Sequence, residues 1–248
     1  MKNRFRLEIS SMTLHILAML LMLCDHLWGT VVPGNLWLTC IGRLAYPLFA
    51  FMIVEGYFKT KNLKKYVWRL FVCALISEIP FNLVSGSAWL YPLHQNVLFT
   101  FLIGIFLIFL NEKARKTGKW WVRILTGIGT VILGFLLGLL AFVDYHYAGI
   151  FIILVFYFFR ERKWWCLLGQ IVCLAYISTE VISGQFIPIE IFGKTFELVI
   201  QSLSILALIP IRLYRGKQGP YNKAIRYLYY GFYPAHLLIL GLIRMYLL

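Results

Sequence analysis

The stretch MLCDHLW (22–28) sets Asp25 and His26 inside a segment that is otherwise lipid-soluble. Ionisable groups within membrane-spanning helices cost roughly 2.5–3.5 kcal/mol each on insertion scales, so each marks a functional site by default. Here they are Asp25, His26, Arg43, Glu55, Glu78, His236 and Arg244, with His15, Arg69 and Asp144 near segment ends. Pairing of Asp25 or Glu78 with Arg43 as ionic glue would account for two of these groups, but such a pair needs no third titratable partner. Histidine, with an unperturbed pKa near 6.5, suits general-base work, so His26 is the candidate base. Asp25 is its neighbour on the helix, about 100° round the axis. The two need not touch, and Asp25 is free to meet Arg43 or to line the pocket.

Depth brings these residues together. At about 1.5 Å per helical residue, His26 lies roughly 9 Å, Arg43 roughly 12 Å and Glu78 roughly 9 Å from the same membrane face. Gln95 and Asn96 open a helix from that face beside His94, and Asp144 and His146 form a turn there. Separate helices thus deliver polar groups to one level, which is what a site looks like in sequence. His15 precedes His26 by eleven residues, a spacing that returns to within about 20° of the same helix face roughly 16 Å away. It either lines the inner part of a channel or sits at the inner interface.

At the opposite end, EGYFKTKNLKKYVWR (55–69) joins Glu55 and Tyr57 to Lys59, Lys61, Lys64, Lys65 and Arg69. This run is either topological charge or a landing site for a phosphate-bearing ligand, since lysine and arginine neutralise phosphates. No glycine-rich phosphate loop exists, which excludes a P-loop ATPase, and there is neither an HExxH motif nor a GxSxG elbow. His94, Asp144 and His146 would bind a metal only by folding together, so no metal is expected. The five cysteines form no CxxC pair and are odd in number, which reads as packing rather than disulfides or zinc.

The elements that must position these residues are membrane helices. The chain is 61% hydrophobic and 14% charged, with mean hydropathy +0.78, where a soluble domain carries about 25% charged residues. The predicted fold class is all-α: a polytopic membrane helical bundle of about nine transmembrane helices forming one domain over 1–248. The segments fall at about 13–32, 35–58, 66–84, 95–111, 121–143, 147–159, 164–183, 195–213 and 226–247, the sixth being short. Twenty of the 24 Lys and Arg, beginning with Lys2, Arg4 and Arg6, fall in alternate connections. By the positive-inside rule this places the N-terminus on the cytoplasmic side of the membrane. The net charge of +14 is therefore a matter of topology, and no nucleic-acid partner is expected. The N-terminal run carries Asp25 and His26 and lacks a small-residue cleavage site, so it reads as a permanent span rather than a signal peptide. Gly134 and Gly138, in GFLLG, allow close helix approach.

In order, MLCDHLW (22–28), IGRLAYPLFAFMIVEGYFKTKNLKKYVWRL (41–70), ALISEIPFNL (74–83), QNVLFT (95–100), DYHYAGI (144–150) and FYPAHLL (232–238) resemble the TraX family. That family is named for the enzyme that acetylates the N-terminus of conjugative pilin. The match spans nearly the whole chain and is densest over 14–104. TraX proteins resemble a wider superfamily of transmembrane acyltransferases, in which a histidine near the end of the first helix is catalytic and cytoplasmic acyl-CoA donates to an acceptor at the outer side. His26 matches that histidine. Related enzymes often carry a basic residue about eleven positions earlier, where this chain has His15, and the DYHYAG turn departs from the tighter DYG type.

The resemblance implies acetyl-CoA as donor substrate, its nucleotide held at the mouth formed by Lys59, Lys61, Lys64, Lys65, Arg69 and His15. It implies His26 as general base or acetyl carrier. Arg43, Gln95 or Asn96 would stabilise the oxyanion, a contribution of about a few kcal/mol. Asp25 or Glu78 would hold the imidazole tautomer or bind an acceptor amine. Asp144 and His146 would complete the acceptor side. His236 would line the tunnel, or is a hydrogen-bonded core histidine. The implied activity is N- or O-acetyl transfer to a peptide, glycan or lipid. The rival is a proton-coupled transporter or channel, against which the lack of two matched halves counts. A non-catalytic scaffold would make His26→Ala harm folding more than activity.

Overall fold

The computed structural model describes residues 8–86, 88–191, 193–220 and 222–246. Lys2, Arg4 and Arg6 lie outside the described residues. Helix α1 (Ser11–Thr30) starts where the Ser10 hydroxyl accepts from the Thr13 N–H at 3.1 Å, a side-chain N-cap. There follow α2 (Leu36–Gly42), α3 (Ala45–Lys59), α4 (Leu63–Gly86), α5 (Val97–Arg115), α6 (Trp120–Leu140), α7 (His146–Phe158) and α8 (Trp164–Tyr176), the last prolonged by a π turn, Ile177–Ile182. An antiparallel hairpin of β1 (Phe186–Ile191) and β2 (Lys194–Val199) leads into a 3-10 segment, Ile200–Ala207, then α9 (Leu208–Leu213) and α10 (Lys223–Tyr246).

Most of these helical stretches fall where apolar segments are predicted, but among the described residues only six of the nine predicted spans have the length and apolarity of a crossing helix. Six, Ser11–Thr30, Leu36–Lys59, Leu63–Gly86, Val97–Arg115, Trp120–Leu140 and Trp164–Ile182, are long and apolar enough to cross a membrane. The protein is a polytopic membrane protein. One expectation needs correction: the fold is not all-α, because residues 186–199 form the hairpin rather than a loop and the start of a helix. Residues 195–198, in the middle of the second strand, alternate polar and apolar with the strand period, and Gly193 lies in the turn at φ 73°. An apolar count alone does not distinguish the two periods.

Helix α7 has only 13 residues, yet Ala148–Gly149–Ile150 and Ile152–Phe156 are all buried. A helix apolar on every side belongs inside protein, so its length need not match the bilayer. Helix α6 is the opposite case, with Trp120, Ile124, Leu125, Ile128, Ile132, Leu136 and Leu140 all exposed, as lipid solvation allows. Trp120, Trp121, Trp164 and Trp165 are also exposed and stand beside basic loops, where amphipathic indoles favour the interface.

Two prolines shape the site. Pro47 lacks the N–H that would bond the Arg43 carbonyl, so the apolar stretch breaks between α2 and α3 at Arg43–Leu44. Pro234 likewise frees the Tyr230 carbonyl within α10, and the Cys73 thiol donates to that carbonyl at 3.3 Å. Without water, a freed carbonyl must find a donor inside the protein. The basic loops gather at one end, where Glu55 pairs with Arg160 at 3.1 Å and the Ile9 N–H bonds the Leu213 carbonyl at 3.3 Å.

Candidate functional site

At the far end from the basic loops, one turn before the end of α1, His26 Nδ1 lies 2.8 Å from His236 Nε2 of α10. The rings stack with centroids 5.0 Å apart and planes 10° from parallel. His236 is buried, and its Nδ1 lies 2.7 Å from the Phe232 carbonyl oxygen of its own helix. Phe232 stacks beneath it at 4.7 Å.

Asp25 faces a different network. Its Oδ1 accepts from Arg43 Nη2 at 2.7 Å and from the Thr39 hydroxyl at 2.8 Å. Arg43 also donates from Nε to Thr39 Oγ1 at 3.0 Å and from Nη1 to Gln201 Oε1 at 3.3 Å. Gly42 permits this approach: a Cβ there would lie 2.5 Å from the Asp25 Cβ. Asp25 is thus the partner of Arg43 rather than of His26.

The remaining sequence-predicted residues divide. Glu78 Oε2 accepts from Asn96 Nδ2 at 2.5 Å, while its buried Oε1 has no partner among the described residues. Asn96 Oδ1 caps α5 by accepting from the Leu98 N–H at 3.1 Å. Gln95 turns its amide back to the Pro92 carbonyl at 2.7 Å. His94 lies 3.6 Å from Asp144; that carboxylate raises the His94 pKa against the lowering effect of burial. His146 is exposed at the first turn of α7 and joins neither network. Among the described residues no three His, Cys, Asp or Glu side chains are grouped to hold a metal ion.

Two cavities complete the site. The larger, about 1010 Å³, lies at the basic end and is lined by Lys59, Arg115, Arg123, Arg160, Arg162, Arg212 and Arg215, with Glu55, Glu112 and Glu161. Burial, then the Arg215 and Arg212 guanidiniums, pull the Arg162 pKa below its ordinary value, against the opposing effect of Glu55. The narrower cavity, about 430 Å³, shares the wall of Phe51, Glu55, Lys59, Tyr214 and Gly216. It passes His15, Tyr66 and Arg69 and reaches Met22, Phe232 and Tyr233. Met22 and Phe232 are one helical turn short of His26 and His236. Lys59 latches the shared wall, donating to the Tyr214 hydroxyl and to the Gly216 carbonyl. His15 stacks on Tyr229 at 4.3 Å, and its Nδ1 lies 2.8 Å from the Ser11 carbonyl oxygen.

This geometry bears on the expected roles of the basic residues and of His236. Lys61, Lys64 and Lys65 are exposed and line neither cavity; they are on the outside of the first turn of α4 and the loop before it. Apart from Lys59, which was expected there, the cations around the large cavity come from four later segments, whose charges read in sequence as topology alone. Of the two alternatives for His236, the geometry fits the hydrogen-bonded core histidine: it is buried, bonds His26 and is not among the residues lining the tunnel. Thr39 and Gln201 were missed, although a glutamine inside an apolar run was a visible signal.

Comparison with known proteins adds a family-level result. The family model described as "TraX protein" matches residues 10–244. The chain is 26% identical over 255 residues to the "Probable fimbrial assembly protein FimC, serogroup H1" of Dichelobacter nodosus, covering 97% of this chain and 98% of that relative. No solved structure matches.

Proposed function

The chain belongs to the TraX family, and from that premise we propose that it is a membrane-bound acyltransferase. In this reading it moves an acetyl group from acetyl-CoA, bound at the basic end, to an amine or hydroxyl of an acceptor at the far end. One observation carries the reading: a cluster of seven cations leads through a shared wall into a tunnel that ends one turn beneath the paired imidazoles of His26 and His236.

The chemistry of the donor fits these surroundings. Its 3′-phosphate and diphosphate suit the guanidiniums of Arg123 and Arg215, since arginine pairs phosphate in a fixed fork. Arg162 donates from both terminal nitrogens to the Tyr214 and Arg212 carbonyls and adds only its charge. The thin pantetheine arm suits the narrower cavity, with Lys59 at the wall it must pass. His26 serves as general base toward the acceptor, a role contributing on the order of 10²–10⁴-fold in rate. Arg43 lies within electrostatic range of His26 and stabilises the developing oxyanion. The relative's printed name, concerning fimbrial assembly, makes the N-terminal peptide of a pilus subunit the first acceptor to test.

The test is acetyl-CoA binding to detergent-purified protein by calorimetry. Arg123→Gln/Arg215→Gln should weaken binding about tenfold or more, equivalent to about 1.4 kcal/mol. Lys64→Gln/Lys65→Gln should leave it unchanged, and His26→Ala should bind without transferring. A folded wild-type protein that binds no acyl-CoA would overturn the reading, and proton-coupled flux would then be measured.

A further inference from the structure

We infer that His236 is a positioning residue that sets the tautomer of His26, holding hydrogen on His26 Nδ1 and leaving Nε2 as the lone-pair nitrogen. A carbonyl oxygen only accepts, so the 2.7 Å contact with the Phe232 carbonyl requires a hydrogen on His236 Nδ1. In neutral His236 the other nitrogen, Nε2, is then an acceptor. It lies 2.8 Å from His26 Nδ1, which must be the donor. The chain of hydrogen bonds therefore runs one way, from His26 through His236 to the α10 backbone, and His26 Nε2 is bare.

The groups that usually orient a histidine are engaged elsewhere. Asp25 accepts from Arg43 and Thr39, and Glu78 accepts from Asn96. His236 is suited to the task because its ring is pinned to the preceding turn of its own helix and packed on Phe232. A stacking role alone would need no nitrogen at this spacing. The arrangement repeats the general logic of a base oriented by a third group, here with an imidazole in place of a carboxylate.

The kinetic consequence rests on the acyl-transfer reading. As the acceptor nitrogen or oxygen bonds to the thioester carbon, its proton passes to His26 Nε2. The imidazolium keeps its Nδ1 hydrogen on His236. The carbon–sulfur bond then breaks, and the departing sulfur takes the proton from Nε2, restoring neutral His26. A His26 flipped to the other tautomer would present an N–H to the acceptor and could not start the sequence.

The test uses 15N-histidine-labelled protein, whose five histidines give a tractable spectrum, with His26→Gln assigning the His26 signals. Wild type should show a protonated Nδ1 and a bare Nε2 on His26. His236→Gln, which keeps an acceptor oxygen, should preserve that pattern, and His236→Phe should lose it. In single-turnover acetyl transfer, His236→Phe should lower the rate on the order of 10²–10⁴-fold with acetyl-CoA affinity unchanged, and His236→Gln should recover at least tenfold of the loss. A wild-type His26 protonated at Nε2, or a His236→Phe spectrum like wild type, overturns the inference. The expected tautomer in a protein that never transfers acetyl would instead sink the acyltransferase reading and leave the tautomer assignment standing.

Discussion

Asp25 and His26 are adjacent in the chain and serve separate networks, because a helix turns about 100° between them. Asp25 and Arg43 are mostly buried, their side chains 17% and 21% exposed. Removing one partner of a buried pair strands the other charge, at a cost of about 3–5 kcal/mol. Arg43→Met should therefore destabilise strongly, and Asp25→Asn/Arg43→Met should cost less than the sum of the two single changes by about 1 kcal/mol or more. Thermal unfolding in micelles measures the cycle; additive losses would show that the pair is not coupled. The same reasoning separates the two residues in function, since Asp25 supports Arg43 and has no hydrogen bond to the His26 ring.

Among the helices, close approach at glycine and interruption at proline position the site. Pro47 ends α2 at Arg43, and Gly42 lets α2 lie against Asp25 of α1. Gly42→Ala would drive a methyl group into the Asp25 backbone and side chain, where overpacking costs about 1–3 kcal/mol. Gly129 of α6 has open space around its Cβ position, so Gly129→Ala should be neutral or stabilising by up to about 1 kcal/mol. Comparing the two melting temperatures checks the contrast. Equal effects would mean that α2 can shift away from α1 without disturbing Arg43. The expected closeness at GFLLG also has a concrete partner: Gly138 faces the Tyr147 backbone, and Gly134 faces Ile150 and Leu107.

For the molecule as a whole, the two ends differ in chemistry. One gathers guanidiniums around a large cavity, and the other ties loops together with few charges. The His94–Asp144 pair joins the loop before α5 to the turn before α7. Because Asp144 raises the His94 pKa above its ordinary 6.5, the pairing contributes fully below that value. It is lost as pH rises through the raised folded value. The pair is partly exposed, so its worth is below about 1 kcal/mol. Thermal stability should decline modestly as pH climbs above about 6.5, in the range where histidine loses its charge, and His94→Gln should flatten that slope. An unchanged slope in the variant would assign the decline to another group.

Composition and periodicity alone pointed to a membrane protein, to the places of most of its helical stretches and to a similar expected depth for His26, Arg43 and Glu78. Depth is readable because it accumulates along one helix at a constant rise per residue. Which side chains meet is not readable that way, since it depends on which helices are neighbours and how each is rotated about its axis. Only the packed structure joined His26 to His236, 210 residues away, tied Asp25 to Arg43, and set Lys61, Lys64 and Lys65 apart from the cavities. It also drew cations from distant loops around one cavity. The hairpin at 186–199 was hidden for a related reason: a short apolar run fits helix or strand equally until its partner strand is known.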